Sequence, residues 1–315
     1  MSDFEQHIQS LNWRREPEGL YAPIEYTLAS GGKRIRPRLA LMAAAMFGHE
    51  ENALPVALAL EVFHNFTLLH DDLMDKALTR RGRETVYKHW DENTAVLSGD
   101  QMLIEAYKQL ERLPDTLLPH VLHLFSRMAT EICEGQQYDM DFEHREDVSA
   151  DDYMKMIRLK TSVLLGAALE AGAYVAGAPE EAQHALREAG IQTGLAFQIQ
   201  DDILDTYGNP LTFGKQIGGD ILQNKKTLLL LTAIARADES QARELHRWLH
   251  AGEGTFMPDE KIAAVRRLYD LTGARNACEE RMRECSEAAL TALSEVDADT
   301  APLRRLITDM LHRNS

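Results

Sequence analysis

The chain has 315 residues, 44% of them hydrophobic and 27% charged, a composition typical of a soluble protein with a sizeable core. The formal net charge of −16 argues against general binding to nucleic acid and against electrostatic adsorption to anionic membranes. The three cysteines are too few for a disulfide framework, so we expect a reducing, cytoplasmic location. Charged residues interrupt the first 21 residues and every longer apolar run, so we expect neither a signal peptide nor a membrane span.

Apolar residues recur at helical spacing and sustained strand-type alternation is missing, so the sequence predicts an all-α protein. With no composition shift at which to divide the chain, we expect a single domain over residues 1–315. In chain order, the predicted central helices are Asn52–Asp75, Thr94–Leu113, Pro119–Glu134, Thr161–Ala176 and Glu180–Asp205. More amphipathic helices are predicted at Gln223–Ala235, Glu239–His250, Asp259–Asp270 and Ala274–Val296. Irregular segments are predicted at Ala77–Asn93, His144–Ala150, Thr206–Leu222 and Ala251–Met257.

Two matching acidic motifs each end an apolar helical segment. They are Asp71-Asp72-Leu73-Met74-Asp75 and Asp201-Asp202-Ile203-Leu204-Asp205. In a helix the first and last aspartates of each motif are neighbours at i and i+4, so each motif presents paired carboxylates on one face. Oxygen ligands without His or Cys suit magnesium, which prefers one or two carboxylates together with waters and phosphate oxygens. One such motif could be solvated surface, but two copies favour a clamp for a diphosphate held through magnesium.

Several basic residues lie near these motifs in a chain that is acidic overall. Lys33, Arg34 and Arg36 follow a glycine pair before a predicted helix, and Arg80-Arg81-Gly82 follows the first acidic motif. Lys160-Thr161 precedes an apolar helix, and Lys215 and Lys225 follow the second acidic motif. His64 and Gln198 precede the two motifs on their acidic faces. Each could be an ordinary surface or core residue alone, whereas together they indicate ligands for a polyanion. The frame of a nucleotide-binding P-loop is absent.

With these residues assembled, the chain resembles the trans-isoprenyl diphosphate synthases, the family of farnesyl and geranylgeranyl diphosphate synthases. The resemblance extends from about Gly31 to Lys226 and rests on the motifs above together with Gly99-Asp100, Phe197-Gln198 and Asp220. It implies an isoprenoid synthase fold, a single large helical bundle around a central cavity. It further implies a prenyltransferase that condenses isopentenyl diphosphate with an allylic diphosphate (dimethylallyl, geranyl or farnesyl), and a homodimer.

The resemblance also implies a role for each site residue. Asp71, Asp75 and Asp201 would coordinate magnesium, three ions per site, with Asp72, Asp202 and Asp205 in support. Isopentenyl diphosphate would be held by Lys33, Arg36, His64 and Arg81. The allylic diphosphate would be held by Arg80, Lys160, Thr161, Gln198, Lys215 and Lys225. Segments Ala77–Asn93 and Thr206–Leu222 would be the lids that exclude water from the carbocation.

Product length in this family is read from the side chains one to two turns before the first motif, here Phe63, Phe66 and Thr67. The bulky phenylalanines predict a short all-trans product, C20 in preference to C15, although they could instead be core residues. Two rival functions share parts of the pattern. A class I terpene cyclase would carry a different second metal motif, and a non-catalytic modulatory subunit would have lost some carboxylates or cations.

Overall fold

A computed structural model describes residues 2–208, 217–250, 252 and 254–311. The first helices are α1 (Ser2–Ser10), α2 (Glu18–Leu28), α3 (Ile35–Ala45), α4 (Ala53–Met74), α5 (Val86–His89), α6 (Glu92–Leu110), α7 (Leu118–His144) and α8 (Ala150–Ile157). They are followed by α9 (Val163–Val175), α10 (Glu180–Tyr207), α11 (Gly219–Leu222), α12 (Leu228–Arg236), α13 (Glu239–Leu249), α14 (Pro258–Leu271), α15 (Ala274–Ser294) and α16 (Ala301–Leu311). Strands β1 (Thr79–Arg80) and β2 (Arg83–Glu84) pair as an antiparallel hairpin. The described residues are therefore almost entirely helical, which confirms the predicted class.

Three boundaries differ from the prediction for local physical reasons. Helix α7 runs ten residues beyond the predicted end, because its polar continuation is supported by pairs such as Gln137 to Asp141, 2.8 Å apart. Helix α12 begins at Leu228 instead of Gln223, since Asn224 has a left-handed φ of 54° and the side chain of Thr227 caps the helix. The segment Ala77–Asn93 was expected to be irregular but contains the β1–β2 hairpin and α5.

The chain forms two compact units. The first runs to Phe125 and includes Ala168–Gln183, and the second comprises Ser126–Ala167 and the residues from His184 onward. In the first unit α4 packs against α3 and α6, and most of its residues are buried. The first acidic motif therefore ends a rigid core helix. The expectation of a single domain over residues 1–315 stays a prediction.

One helical segment, Glu50–Met74, is long and apolar enough to cross a membrane by length and composition. Of its most apolar window 67% is buried inside the protein, so the same apolar surface serves the core of the first unit. The imidazole of His70 on α4 packs directly on Gly99 of α6, where a Cβ would lie 2.1 Å from its Nε2, and the same nitrogen lies 3.3 Å from the carbonyl of Val96. The residue directly before Asp71 is thus held against α6.

In the second unit, helices α8 and α9 are joined by a π-helical turn at Arg158–Ser162. Two glycines let neighbouring helices approach this turn. A Cβ on Gly135 of α7 would lie 2.3 Å from the backbone nitrogen of Lys160, and one on Gly194 of α10 would lie 2.5 Å from Cα of the last residue in the turn. Single π-helical turns recur at functional sites, and this one carries Lys160 and Thr161.

Candidate active site

The first acidic motif lies at the carboxyl end of α4. Asp71 is half-buried, Asp72 is buried and Asp75 is exposed, where it forms the C-terminal cap with its N–H bonded to the carbonyl of Asp71 at 2.8 Å. The unpaired carbonyls of a helix end already carry negative potential, so carboxylates there are disfavoured by about 0.3–1 kcal/mol each unless a cation is near. The motif is therefore placed to attract positive charge.

Asp72 is anchored inside the protein. Its Oδ1 accepts a hydrogen bond from Nε of Arg80 at 2.7 Å, and its exposure is 5%. Burial raises the pKa of Asp72 to about 6; the ion pair with Arg80 opposes this rise, and the neighbouring aspartates add to it. The middle carboxylate of the motif thus fixes the β1–β2 hairpin, whereas the outer two are open to solvent.

His64, on α4, lies in the field of four arginines. They are Arg34, Arg36, Arg80 and Arg81. Burial first, and then these positive charges, lower the pKa of His64 well below its ordinary value. The imidazole is therefore neutral at physiological pH and can donate one N–H to an anion. So many guanidinium groups around one neutral donor form a favourable place for a phosphate group.

Arg34 plays a structural part in this basic cluster. Its guanidinium donates to Glu5 Oε1 at 2.8 Å, to Glu61 Oε1 at 2.6 Å and to the carbonyl of Leu28 at 2.8 Å, and its exposure is 7%. Lys33 beside it is exposed. Arg34 is therefore occupied by protein partners, whereas the predicted ligand Lys33 faces solvent.

Arg81 lies over the glycine pair Gly31-Gly32 that precedes Lys33. Its Nη1 donates to the carbonyl of Gly31, and a Cβ on Gly32 would be 3.0 Å from its guanidinium carbon. Gly32 has φ of 139°, so a side chain there would strain the backbone as well as crowd the guanidinium. The structure thus brings the two basic segments of the first unit together, as the sequence predicted.

The second acidic motif lies near the carboxyl end of α10, and its middle residue is again buried. Asp202 is 4% exposed; its Oδ2 accepts a hydrogen bond from the hydroxyl of Tyr153, and its Oδ1 accepts one from Gln198 Nε2 at 3.2 Å. The Gln198 amide oxygen in turn accepts from the hydroxyl of Thr161 at 3.2 Å. Asp201 is half-buried. Two predicted ligands, Thr161 and Gln198, therefore belong to one hydrogen-bonded row with the motif.

Lys160 and Asp205 also have partners in the second unit. Lys160 Nζ lies 2.6 Å from Asp139 Oδ2. Asp205 Oδ1 accepts the backbone N–H of Asp220 at 3.0 Å, and Lys225 Nζ is 4.0 Å from Asp220 Oδ1. These contacts tie α11 and the residues after it to the motif. Lys215, a predicted ligand, lies outside the described residues.

The three residues predicted to limit product length differ in exposure. Phe63 is 1% exposed and its ring contacts Phe66 at 5.4 Å and Phe125 at 5.2 Å between centroids. Phe66 and Thr67 are half-buried. The aromatic cluster extends further, since Phe125 contacts Tyr107 at 5.0 Å. Phe66 is therefore the more accessible of the two rings, while Phe63 packs against it from within the core.

Sequence reasoning missed two partners of the second motif, Tyr153 and Asp139. One local signal was readable, because Ser149 and Asp152 form a capping box that starts α8 and places Tyr153 two turns before Lys160. No sequence signal pairs Tyr153 with a carboxylate 49 positions later, nor Asp139 with Lys160. Such long-range pairs depend on helix packing.

Over the described ranges, no three His, Cys, Asp or Glu side chains converge to hold a metal ion by themselves. The carboxylates of the two acidic motifs fit magnesium, which binds one or two carboxylates per ion and completes its coordination with waters and substrate phosphate oxygens. They do not fit a closed structural zinc site, which needs four protein ligands.

Known proteins resemble this chain over most of its length. The family model for polyprenyl synthetase matches residues 17–269. A geranylgeranyl pyrophosphate synthase of Geoglobus acetivorans is 37% identical over 309 residues, covering 97% of this chain and 93% of its own. A geranylfarnesyl diphosphate synthase of Aeropyrum pernix is 35% identical over 306 residues, covering 94% of each. A (2E,6E)-farnesyl diphosphate synthase of Mycobacterium bovis is 37% identical over 286 residues, covering 89% and 78%.

Solved structures agree. The crystal structure of a geranylgeranyl pyrophosphate synthase superimposes with a TM-score of 0.95 at 44% identity, covering 100% of this chain and 98% of the other. A polyprenyl synthase from Caulobacter crescentus, complexed with calcium and isoprenyl diphosphate, gives 0.88 at 30% identity, covering 100% and 95%. These likenesses confirm the predicted all-α isoprenoid synthase fold. The chain belongs to the polyprenyl synthetase family.

Proposed function

We propose that this chain condenses isopentenyl diphosphate with an allylic diphosphate to make an all-trans prenyl diphosphate, with C20 geranylgeranyl diphosphate as its main product. The comparisons confirm the predicted enzyme class, a short-chain trans-prenyltransferase. The observation that carries the substrate proposal is the basic cluster around neutral His64, next to an acidic helix end. That pairing suits a diphosphate, whose oxygens need guanidinium groups and whose metal ions need carboxylates.

Magnesium is the proposed cofactor, three ions per site, held by Asp71, Asp75 and Asp201 with Asp205 in support. The partial exposure of these carboxylates supports this assignment, because an ion from solution can reach only an oxygen that is open to solvent. When bound, magnesium would supply positive charge to the departing diphosphate. The related Caulobacter crescentus structure contains calcium with an isoprenyl diphosphate, which supports a divalent ion here.

The protein's own residues divide the remaining work. Lys33, Arg36, His64 and Arg81 bind isopentenyl diphosphate, and Arg80, Lys160, Thr161, Gln198, Lys215 and Lys225 bind the allylic diphosphate. Held this way, the allylic carbon–oxygen bond breaks, the double bond of isopentenyl diphosphate attacks the cation, and a proton leaves for the released diphosphate. The hairpin segment Ala77–Asn93 and the segment Thr206–Leu222 would keep water away from the cation.

The proposed C20 length rests on Phe66, which is half-buried and lies between Phe63 and the first acidic motif along α4. Phe66→Ala would open the pocket below the growing chain, so products should lengthen beyond C20. Phe63→Ala would instead remove a fully buried ring and destabilise the protein by about 3–5 kcal/mol. An unchanged product length in a folded Phe66→Ala variant would show that other side chains stop the chain.

A homodimer is proposed through the exposed apolar face of α6. Leu97 and Ile104, seven residues apart and so on one face, are 60% and 53% exposed, and Val96 adds 42%. Nearby on α7, Leu122 is 39% exposed. A second copy of the same chain would cover this surface. Ile104→Lys should yield a monomer in sedimentation, whereas an unchanged mass for this variant would place the interface elsewhere.

The three cysteines are all free, which supports the proposed cytoplasmic location.

The decisive experiment supplies purified protein with magnesium, isopentenyl diphosphate and each allylic diphosphate in turn. Chromatography of the dephosphorylated products should show a C20 alcohol as the main species. Asp71→Asn should reduce turnover on the order of 10³-fold with normal helix content, because charge stabilisation by a metal is worth several kcal/mol. Asp309→Asn, an exposed aspartate on α16, is the matched control and should retain full activity. Only cyclised hydrocarbon, or no product without a second subunit, would overturn the proposal.

A further inference from the structure

The hairpin that carries Arg80 and Arg81 is fastened to α2 by the contact between Arg83 and Tyr26. The guanidinium carbon of Arg83 lies 3.7 Å from the centroid of the Tyr26 ring. Its Nη1 also approaches the carbonyl of Tyr26 at 3.3 Å and the hydroxyl of Ser30 at 3.4 Å. A stacked guanidinium that also donates to the same helix is a stiff, directional contact.

Tyr26 holds the rest of the segment as well. Its hydroxyl donates to the carbonyl of Glu84 at 3.0 Å, so Tyr26 is also bonded to the backbone of β2, the strand that contains Arg83. Two aromatic residues also pack on the ring of Tyr26. His89 stacks on it with ring centroids 5.2 Å apart and planes 13° apart, and Trp90 meets it edge-on with centroids 5.2 Å apart. The hairpin and α5 are therefore both tied to one residue of α2.

The hairpin presents two arginines to a basic cluster. Arg80 and Arg81 lie in the same field as Arg34 and Arg36, around His64. Burial lowers the pKa of Arg81; the charge of Glu61 opposes this effect, and the charges of Arg34 and Arg80 add to it. The ion pair of Arg80 with Asp72 holds the hairpin on its α4 side, and the contact of Arg83 with Tyr26 holds it on its α2 side.

Little space separates the attachment from the arginines. Tyr26, Ser30, Asp72, Arg80 and Arg81 all line one small cavity of about 30 Å³. A cavity of that size holds about one water molecule. A displacement of Tyr26 or Ser30 would therefore change the position of Arg80 and Arg81, the two arginines proposed to bind substrate.

We propose that Arg83 and Tyr26 are a positioning pair that holds the hairpin in its binding position, so that Arg81 meets isopentenyl diphosphate without first being ordered. This inference rests on the proposed function. The pair touches no reacting atom; it removes an ordering cost from substrate binding. Its loss should therefore appear in substrate affinity and leave the chemical step nearly unchanged.

The test compares Arg83→Met, which keeps the length of the side chain but loses the guanidinium, with Lys88→Met, which removes an exposed cation from the adjacent α5. For Arg83→Met we expect KM for isopentenyl diphosphate to rise about 3- to 30-fold, the range of a cation–π contact, with kcat changed less than about twofold. Arg83→Lys should fall between, because an ammonium keeps the charge but cannot stack as a plane. Lys88→Met should change KM by less than about twofold.

Two further measurements keep the test decisive. Calorimetric titration with isopentenyl diphosphate, without the allylic substrate, should show the same loss of affinity in Arg83→Met. In the double variant with Tyr26→Leu, the two effects should be less than additive, because both substitutions break one contact. Unchanged KM and affinity in a folded Arg83→Met protein, or fully additive effects, would overturn the inference. If wild-type protein makes no prenyl diphosphate at all, the proposed function fails instead.

Discussion

Replacing Tyr153 by Phe is the most informative single change to the second acidic motif. The substitution deletes one hydroxyl, which donates to Asp202 Oδ2, and leaves the ring in its place. Tyr153 is 2% exposed and Asp202 is 4% exposed, so water cannot replace the lost donor easily. Gln198 continues to donate to the other carboxylate oxygen.

The expected loss follows from that burial. A hydrogen bond to a charged group contributes about 1.5–3 kcal/mol, and an orphaned buried acceptor loses this in full. At pH 8, where Asp202 is mostly ionised, the metal-free variant should therefore be about 2–3 kcal/mol less stable than the wild type. For a chain of this size, Tm should fall by roughly 3–5 °C.

The loss should also depend on pH. Burial and the charge of Asp220 raise the pKa of Asp202 to about 7, and the bonds from Tyr153 and Gln198 with the charge of Lys225 oppose the rise. Since this folded pKa lies above the unfolded value of about 3.9, stability from the group is present at low pH and is lost as pH rises through 7. Removing the hydroxyl raises the pKa further. The penalty should thus shrink at pH 5, where Asp202 is neutral, to about 1 kcal/mol.

The assay is urea unfolding of metal-free protein with a chelator, at pH 5 and at pH 8. Tyr207→Phe is the matched control, because the hydroxyl of Tyr207 donates to the carboxylate of Asp270 at 2.8 Å but at an exposed position. The control should lose no more than about 1 kcal/mol at either pH. A Tyr153→Phe protein that matched the wild type at pH 8, or lost more at pH 5 than at pH 8, would refute the reasoning.

Other predictions test separate parts of the site. Gly135→Ala should destabilise the protein and abolish turnover, since its Cβ would lie 2.3 Å from the backbone of Lys160. The control is Gly19→Ala, whose Cβ would have no atom within 4 Å, and thermal unfolding should show it to be neutral or stabilising. Native protein should react with one equivalent of a thiol reagent, at the exposed Cys133, and with three after unfolding; rapid labelling of all three in the native state would contradict the burial. Because the pKa of His64 is lowered, the pH profile of kcat/KM for isopentenyl diphosphate between pH 6 and 7 should have the same shape in wild type and His64→Gln, and a step present only in the wild type would count against this.

Much of the molecule is readable from local sequence because its signals are local. Apolar spacing predicts the core helices, and the i, i+4 spacing by itself pairs Asp71 with Asp75 on one helix face. Predicted boundaries are wrong where one residue overrides a pattern, as where the left-handed Asn224 delays the start of α12. The hairpin after α4 escapes prediction because strands of two residues give no alternation to detect.

The supporting contacts are beyond the reach of sequence for a different reason. Tyr153 and Asp202 are 49 positions apart, and Arg83 and Tyr26 are 57 apart. No periodicity connects residues at such distances, because their meeting is decided by how helices pack. The sequence therefore predicts which groups meet substrate, whereas the fold determines which residues hold those groups in place.

The two acidic motifs reveal why the same five-residue string serves twice. At about 100° per residue, the first and fifth positions of a helical segment lie within about 40° of each other, and the second lies about 100° from the first and about 60° from the fifth. Both motifs end core helices whose orientation turns the second position toward protein and leaves the first and fifth nearer to solvent. Asp72 and Asp202 are accordingly buried and bonded to Arg80 and Tyr153, while the outer aspartates keep some exposure. Each motif thus combines a buried aspartate that is bonded to protein with more exposed aspartates on the same turn, and the buried one fixes the helix end that carries the proposed metal ligands.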